Sequence, residues 1–417
     1  MNKVLQDSAN SLIVFFTLTV VTVFTAEAST PIFDHYDLAG PWVVAVDEET
    51  YASGQTGVVY RPVSTNGSDV FPVVVWGNGS GGTPEGNYPE FLRKIASWGY
   101  VITATNHEEV GTGAPLLESL DHLRLLESDA GYILHGQIDF SAVAAVGHSQ
   151  GAGGSTKLAI DTGDVHTLVP LALPAPQFVF EPEKAFDTAD VDVPMFIVGA
   201  VGDFISDTPT VQAYFNAHPD SAAMAMVANS PAIIPHLEWA ENGGGVSRAY
   251  IIAWLEYILR SDSFASGAFT GENPEIADHL ALTAYDNKCL PGGELPRLTP
   301  QNSLVWEGSS GQATVDVRVT LAHACNRTVS IDWATVNTLV QPEAGVDFQP
   351  DSGNLVLPPG QASATVPFTV YSDAVVEVGG EQGLIEFFNP SNAHLGNDPA
   401  DDVSTIFIYD GETPPGC

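Results

Sequence analysis

The stretch that decides the fold is AVAAVGHSQG at residues 142–151, where an apolar run meets a glycine-rich turn. The run predicts a buried strand, and the residues from the turn to Ile160 have a helical pattern. Between them, Gly147-His148-Ser149-Gln150-Gly151 has the G-x-S-x-G pattern of a nucleophile elbow. Such a turn needs flanking glycines because it leaves no space for Cβ atoms. The sequence therefore predicts a reactive Ser149 at a helix N-terminus, where free amides favour negative charge.

The chain around this stretch alternates between strands and helices. Near-continuous apolar strands with helices between them are typical of a mostly parallel sheet covered on both faces. We therefore predict an α/β domain over residues 29–265. The runs that indicate strands are 71–76, 100–104, 142–146, 166–171, 195–198 and 222–227, and those that indicate helices are 89–98, 116–126 and 248–260.

Two candidate partners for Ser149 follow it in the chain. A serine hydroxyl becomes an effective nucleophile when a histidine accepts its proton and a carboxylate orients that histidine. In chains with this elbow, the acid and then the histidine follow the serine, each on a loop after a strand. Asp203 and His236 occupy such places, after the apolar runs 195–198 and 222–227. We predict Ser149, Asp203 and His236 as a catalytic triad.

Three nearby residues are weaker candidates for these roles. Asp207 precedes Thr208-Pro209 and suits a helix cap. His218 lies in a polar loop before the last strand of the domain, which is too early in the chain. His148 adjoins the nucleophile and is expected to pack rather than to transfer protons.

Two backbone amides are predicted to bind the oxyanion of a tetrahedral intermediate. One is the N–H of Gln150, the residue after the nucleophile. The other is expected in GNGSGG at 77–82, directly after the strand that ends at Trp76, and Asn78 is the chosen donor. Glycines at a strand end suit a backbone that approaches a substrate closely. A flexible loop is the alternative for this segment.

Acidic residues dominate the charge of the chain. Its 417 residues include 51 Asp and Glu against 13 Lys and Arg, so the formal net charge at pH 7 is −38 and the pI is near 4.2. Such a surface repels phosphate backbones and anionic headgroups, which argues against a nucleic-acid partner. It fits a secreted protein in salty water, where screening weakens the self-repulsion.

Residues 1–28 have the features of a signal peptide. Lys3 precedes an apolar run over 12–24, and Ala26-Glu27-Ala28 supplies the small residues of a cleavage site. No later segment has 18 consecutive apolar residues. We expect a secreted protein, extracellular or periplasmic, with no transmembrane segment in the mature chain. A retained N-terminal anchor is the alternative.

The pattern changes beyond the α/β domain. Residues 266–299 are rich in Gly, Pro, Asn and Asp and are predicted to be a linker. From 300 to 411, short segments such as 313–321 alternate between apolar and polar residues, which predicts an all-β sandwich. Residues 412–417 form a tail.

The three cysteines all lie late in the chain, at Cys289, Cys325 and Cys417. An odd number permits one disulfide at most within the chain and leaves one thiol over. The sequence does not identify the pair.

The α/β region resembles a branch of the α/β-hydrolase family that includes cutinase-like poly(ethylene terephthalate) hydrolases, chlorophyllases and dienelactone hydrolases. The segments that carry the resemblance are VWGNG at 75–79, ASWGYVI at 96–102, GHSQG at 147–151 and GAVGD at 199–203. The resemblance implies an α/β-hydrolase fold and hydrolysis of a carboxylic ester through an acyl-enzyme on Ser149, with no cofactor for catalysis. The expected partner is an ester substrate, small or polymeric; the oligomeric state is not indicated.

Two departures from this family bear on the substrate. Polyester hydrolases have an aromatic residue where this chain has Asn78, and a tryptophan where it has Gln177. Trp76 and Phe178 are close by and are candidates to replace that aromatic clamp. The resemblance implies a carboxylesterase, with polyesters and lipid-like or aromatic esters as candidate substrates. The alternatives are an adhesion or binding protein with an inactive hydrolase domain, and an amidase, peptidase or acyltransferase on the same fold.

The C-terminal region resembles the Calx-β family. The segments that carry this resemblance are VWEG at 305–308, IDWAT at 331–335, AGVDF at 344–348, LVLPPGQ at 355–361 and IFIYD at 406–410. Calcium-binding members gather carboxylates at one end of the sandwich, because Ca²⁺ prefers oxygen ligands. The matching residues are Glu307, Asp347, Asp373, Glu377 and Asp410. A calcium site and a solvated acidic rim both fit, since a single Asp373 stands where strong binders have an acidic run. The resemblance implies a role in adhesion, spacing or stability.

Overall fold

The structure is a computed structural model, and two of the predicted segments lie outside the residues it describes. These are the signal peptide at 1–28 and the tail at 412–417. No helix within the described ranges is long and apolar enough to cross a membrane. The described residues are 30–64, 67–293, 295–325, 327–336, 343–372, 381–396 and 402–409.

The described residues between 30 and 290, called the first region, form nine strands and ten α-helices. The strands are β1 (Val44–Thr50), β2 (Thr56–Pro62), β3 (Phe71–Gly77), β4 (Val101–Thr105), β5 (Ile138–His148), β6 (Thr167–Leu171), β7 (Met195–Ala200), β8 (Ala222–Val227) and β9 (Leu282–Lys288). The helices are α1 (Pro31–Asp37), α2 (Pro84–Asn87), α3 (Pro89–Ser97), α4 (Ala114–Ser128), α5 (Gln150–Asp161), α6 (Thr208–Ala217), α7 (Glu238–Glu241), α8 (Gly245–Arg260), α9 (Ser263–Ser266) and α10 (Glu275–Asp278).

The nine strands form one sheet in the order β1-β2-β4-β3-β5-β6-β7-β8-β9. The neighbours from β4 to β8 run parallel, whereas β1, β2 and β9 are paired antiparallel at the two edges. Parallel strands need connections across the sheet, and the helices between them supply these. The carboxyl ends of β3, β5, β7 and β8 therefore meet along one rim.

Helices cover both faces of this sheet. Side chains of a strand alternate between faces, so Val74 and Trp76 of β3 pack in a core with α1, α3 and α8, while Val73 and Val75 pack in a core with α4, α5 and α6. A strand buried on both sides carries an unbroken apolar run, which is why the sequence predicted this architecture. The α/β prediction is confirmed.

The predicted linker at 266–299 differs from the structure. Strand β9 lies within it and pairs antiparallel with β8 as the ninth strand of the sheet. Within this edge strand, Leu282 and Lys288 are buried and the residues between them are exposed or half-buried. An edge strand with a polar, exposed centre gives little apolar signal. The α/β region therefore extends to about residue 290.

The part of the chain from Leu298 onward, called the second region, is all-β, as predicted. Its described residues form eight strands in two sheets. The sheet orders are β10-β12-β15 and β11-β17-β16-β13-β14. Both sheets contribute to one apolar core, in which Phe368 stacks against Phe348 with ring centroids 5.3 Å apart. The strands are β10 (Leu298–Pro300), β11 (Ser303–Trp306), β12 (Gly311–Leu321), β13 (Val329–Val336), β14 (Ser352–Leu357), β15 (Ser363–Ser372), β16 (Glu381–Ser391) and β17 (Val403–Tyr409).

A disulfide joins the two regions. It links Cys289, directly after β9, to Cys325 in the connection between β12 and β13. The carbonyl of Cys289 accepts hydrogen bonds from Ser221 Oγ at 2.7 Å and from Arg327 Nη2 at 2.9 Å, so groups from both regions converge there. The third cysteine, Cys417, lies outside the described residues.

Candidate active site

Ser149 lies at the sharp turn between β5 and α5. Its φ of 55° and ψ of −124° are strained for a residue with a Cβ. The turn is close-packed: a Cβ on Gly147 would overlap the carbonyl of Gly151, and a Cβ on Gly151 would overlap the carbonyl of Gly77. The Ser149 N–H donates to the Leu171 carbonyl of the adjacent strand at 2.9 Å. These contacts fix the turn that presents the serine hydroxyl at the rim of the sheet.

The structure brings Ser149, His236 and Asp203 together in one hydrogen-bonded series. His236 Nε2 lies 2.8 Å from Ser149 Oγ, and His236 Nδ1 lies 2.7 Å from Asp203 Oδ2. A carboxylate only accepts hydrogen bonds, so a neutral His236 carries its proton on Nδ1 and donates it to Asp203. Nε2 is then free to accept the Ser149 hydroxyl proton. Asp203 and His236 are both buried, which strengthens their interaction.

Asp203 is held by the turn that follows β7. Gly202 has a φ of 85°, which lets the chain reverse before the aspartate. The second carboxylate oxygen, Oδ1, accepts the Ile205 N–H at 2.8 Å, so the side chain is fixed from two sides. Asp207 lies apart from this series: it caps α6 by accepting the Thr210 N–H at 3.0 Å.

A second histidine touches the loop that carries His236. His236 lies in a 3-10 turn, Pro235–Leu237, and its carbonyl accepts a hydrogen bond from His148 Nε2 at 2.7 Å. His148 Nδ1 lies 2.9 Å from the hydroxyl of Tyr88, and that hydroxyl accepts the Gly79 N–H at 3.1 Å. Burial lowers the pKa of His148 to about 3, and the neighbouring His236 acts in the same direction. Burial raises the pKa of Tyr88 to about 12.

The predicted oxyanion residues both lie near the N-terminus of α5. Asn78 is fully buried, and its side chain accepts the Trp76 indole N–H at 2.9 Å and donates to the Thr105 carbonyl at 2.7 Å. Its backbone carbonyl packs so closely on Gly151 that a Cβ there would overlap it. Gln150 is the first residue of α5, where amides have no acceptor within the helix. The side chain of Asn78 thus anchors the segment, and its backbone lies next to the helix start.

A cavity of about 200 Å³ opens beside the same helix start. Its lining includes apolar and aromatic side chains as well as Glu109, whose carboxylate lies 2.8 Å from Lys184 Nζ. Lys184 also lies 3.5 Å from Glu181. The lining residues are Ser80, Glu109, Gly111, Gln150, Gly153, Pro174, Phe178, Val179, Phe180, Glu181, Lys184 and Phe186.

Only one of the two aromatic residues that were candidates to replace the clamp lies at the cavity. Phe178 lines the cavity. Trp76 does not, because it is fully buried in the core and its N–H is bound to Asn78. The expectation for Trp76 is therefore wrong: alternation along β3 directs this side chain into the core.

Two of the five proposed calcium ligands can be placed. Glu307 follows β11, and its carbonyl accepts a hydrogen bond from Ser372 Oγ at the end of β15. The carbonyl of Asp347 accepts the N–H of Tyr371 at 2.8 Å, so both acidic residues flank the end of the same strand. The remaining three lie outside the described residues: Asp373, Glu377 and Asp410.

Within the described ranges, three potential metal ligands come together only at Cys289, His323 and Cys325. The two cysteines of that cluster form the disulfide and have no free thiolate to offer a metal. This cluster and the acidic residues of the second region are both separate from the serine site.

Sequence reasoning did not identify Tyr88, Glu109 or Lys184. Tyr88 is far from the elbow in the chain and belongs to no motif. Glu109 lines the cavity from a loop, and Lys184 lines it from the 3-10 helix Pro182–Lys184. Only the folded chain brings them to the site.

These features define an α/β-hydrolase. The sheet has a parallel centre, the serine lies at a strand-to-helix elbow, and an aspartate and a histidine follow the serine in the chain. The family model for PET hydrolase-like proteins (PETase) matches residues 36–290, more than half of the chain, and the protein belongs to this family. Membership implies a serine ester hydrolase. The match includes β9 and ends before the all-β region, where the Calx-β resemblance stays a prediction.

Curated relatives are similar at low identity. Cutinase est1 of Thermobifida alba is 26% identical over 215 residues, 50% of this chain and 66% of that protein. Cutinase 1 of Thermobifida cellulosilytica is 26% identical over 235 residues, 54% of this chain and 82% of that protein. Bis(hydroxyethyl) terephthalate hydrolase of Streptomyces coelicolor is 25% identical over 237 residues, 54% of this chain and 70% of that protein. The chain thus spans just under two thirds of the length of Cutinase est1, and more of the other two.

Proposed function

We propose that this protein is a secreted hydrolase of carboxylic esters that uses Ser149, His236 and Asp203 as its catalytic triad. The observation that carries the proposal is the hydrogen-bonded series from Ser149 Oγ through the imidazole to the carboxylate. Ser149 Oγ attacks the ester carbonyl carbon while its proton moves to His236 Nε2, and Asp203 stabilises the imidazolium. His236 then protonates the leaving alkoxide oxygen as the C–O bond breaks, which gives an alcohol and an acyl-enzyme.

Water completes the proposed cycle. His236 takes a proton from water, whose oxygen attacks the acyl carbon, and Ser149 leaves with that proton as the carboxylic acid forms. Each tetrahedral intermediate carries a negative oxygen that needs fixed donors. The backbone N–H groups of Gln150 and Asn78 are the proposed donors, since Gln150 begins α5 and the backbone of Asn78 packs against Gly151, the next residue of that helix.

The cavity beside α5 supports a proposal for the acyl part of the substrate. Its aromatic wall, which includes Phe178 and Phe186, suits apolar and aromatic groups. Glu109 and Glu181 leave an excess of negative charge around Lys184, which disfavours anionic esters. One relative is named a hydrolase of bis(hydroxyethyl) terephthalate. We therefore assign uncharged aromatic or lipid-like esters, including polyesters, as the substrates.

The test is a panel of uncharged p-nitrophenyl, feruloyl and polymeric esters with matched amides, with and without an acceptor alcohol. We expect ester hydrolysis that Ser149→Ala abolishes, and stoichiometric labelling of Ser149 by a fluorophosphonate. Ser128→Ala is the control, because this exposed serine lies at the end of α4, does not line the cavity and should keep the labelling. Faster amide cleavage or acyl transfer would favour those activities, and a chain that neither labels nor turns over would favour the binding-protein alternative.

Secretion is the second part of the proposal. The charged, apolar and small-residue segments of residues 1–28 support it. N-terminal sequencing of protein recovered outside the cytoplasm should start at Ser29. An intact N-terminus on membrane-bound protein would instead support the anchor alternative.

For the second region we propose a Calx-β-like accessory domain with calcium at its acidic end. The positions of Glu307 and Asp347 at the end of β15 support it, because that strand leads toward Asp373. Addition of Ca²⁺ to chelator-treated protein should raise the melting temperature of this domain, and Asp347→Asn should reduce the rise. An unchanged melting temperature would contradict the calcium site and favour the alternative, a solvated acidic rim.

A further inference from the structure

We infer that His148 and Tyr88 form a positioning pair. The pair fixes the position of the loop after β3, which carries Asn78 and Gly79, relative to the loop that carries His236. This inference rests on the proposed function and deepens it. The pair connects three segments: Gly79 follows Asn78, His148 precedes Ser149, and the carbonyl that His148 contacts belongs to His236 itself. Neither side chain takes part in the proton transfers of the proposed mechanism.

The hydrogen bonds allow one assignment of protons. A carbonyl oxygen only accepts, so His148 must carry its proton on Nε2 and donate it to His236. His148 Nδ1 is then an acceptor and takes the Tyr88 hydroxyl proton, while a lone pair of that hydroxyl accepts the Gly79 N–H. Each hydrogen-bond donor in this series therefore has one acceptor. A protonated His148 would place a second donor against Tyr88, which agrees with the direction of its pKa shift.

Packing holds this series in place. His148 and Tyr88 are 2% and 3% exposed, and a Cβ on Gly79 would overlap the Tyr88 hydroxyl and His148 Nδ1. The His148 ring also packs on Trp239, with ring centroids 5.6 Å apart. A buried network whose members are all satisfied is rigid, and removing one member leaves a partner unpaired in a low dielectric.

The consequence is a fixed distance across the active site. In the proposed mechanism the oxyanion donors and the general base act on the same acyl group at Ser149, and catalysis depends on their relative positions to within a fraction of an ångström. The pair therefore acts on the rate of the chemical step rather than on substrate binding, because neither residue lines the cavity.

Steady-state kinetics on a p-nitrophenyl ester test this with three variants. Tyr88→Phe removes only the hydroxyl, and we expect kcat to fall about tenfold with KM changed by less than about twofold. His148→Leu removes both hydrogen bonds, and we expect a fall of about a hundredfold. His148→Gln keeps a donor toward the His236 carbonyl and should restore part of that loss. Tyr250→Phe is the matched control, since it removes another buried tyrosine hydroxyl, bound to Glu275, and should leave kcat unchanged.

Two further measurements separate positioning from general destabilisation. Affinity for a boronic acid, which forms a tetrahedral adduct on the serine, should fall in parallel with kcat/KM in folded Tyr88→Phe. Nitrogen NMR should find His148 neutral with its proton on Nε2 from about pH 5 to about pH 9. A folded Tyr88→Phe with unchanged kcat, or a proton on Nδ1, would overturn the inference. Absence of Ser149 labelling in the wild type would instead overturn the proposed function, while the NMR result would still decide the network.

Discussion

The two regions of this chain bury polar side chains in different places. In the α/β region, Asn78, His148, Asp203 and His236 are buried together at one rim of the sheet. In the all-β region, the described buried polar residues are Glu307, Glu381 and Ser404, at or near strand ends around an apolar core. Burying a polar group is costly unless it is fully partnered. The first region thus bears part of this cost at the serine site, whereas the interior of the second consists mainly of apolar side chains.

The largest effect is expected at Asp203, in the first region. Asp203→Asn removes the acceptor for His236 Nδ1–H and favours the wrong tautomer, so we expect kcat/KM to fall by roughly 10³–10⁴. Asp207→Asn is the matched control from the same loop. It keeps a capping oxygen for α6, so its kcat/KM should stay within about twofold of wild type and its stability should change by less than about 1 kcal/mol. The same loss in both variants would contradict the assignment of the acid.

A core substitution in the all-β region should affect stability alone. Phe368 is buried against Phe348, and Phe368→Ala should lower the free energy of unfolding of that region by about 3–5 kcal/mol. Ester hydrolysis at 25 °C should persist, because none of the described residues of this region lines the cavity beside α5. Phe388→Ala, at a side chain that is 39% exposed, should cost much less. Denaturant unfolding followed with kinetics checks both, and loss of activity with Phe368→Ala would show that the regions are coupled.

Removing the link between the regions should have a smaller effect. The disulfide closes a loop with a sequence separation of 36 residues, and Cys289→Ala with Cys325→Ala should cost about 2–4 kcal/mol of stability. The loss arises mainly because the unfolded chain gains freedom. The comparison is made in a Cys417→Ala background, which leaves the two cysteines of the disulfide as the only cysteines of the chain. Dithiothreitol should lower the stability of the protein with the disulfide and should not change that of the variant without it. Equal denaturation midpoints with and without it would contradict this account.

The smallest effect is expected at Lys184, which lines the cavity. Lys184→Met removes the ion pair with Glu109 and joins an apolar side chain to the aromatic wall. We expect kcat/KM for long-chain acyl esters to rise about threefold relative to short-chain esters, since exposed ion pairs contribute only about 0–1 kcal/mol. Lys157→Met, which breaks an ion pair with Asp161 on α5, is the control and should leave the acyl preference unchanged. A fall in long-chain preference would contradict the placement of the acyl group.

Local sequence signals predicted the architecture and the residues of the serine series. The elbow at 147–151 has a pattern with few structural solutions, and the apolar runs of β3, β5 and β7 place their loops at one rim. The sequence of β9 is typical of a linker because an exposed edge strand needs few apolar residues. Tyr88 had no signal at all, since its role depends on three other segments that meet only in the folded chain. The cysteine pair likewise depended on the distance between two loops.

The strand β9 also determines how small a working version of this enzyme can be made. A chain cut after α8 would leave β8, with the sequence AAMAMV, as an outer strand with open hydrogen-bonding groups. Such a strand is a template for pairing between molecules, so the cut protein should form aggregates. A cut just past Cys289 would cover β8 but leave an unpaired thiol, which invites covalent dimers in an oxidising medium. A shortened chain that contains only the α/β region should therefore keep β9 and carry the substitution Cys289→Ser.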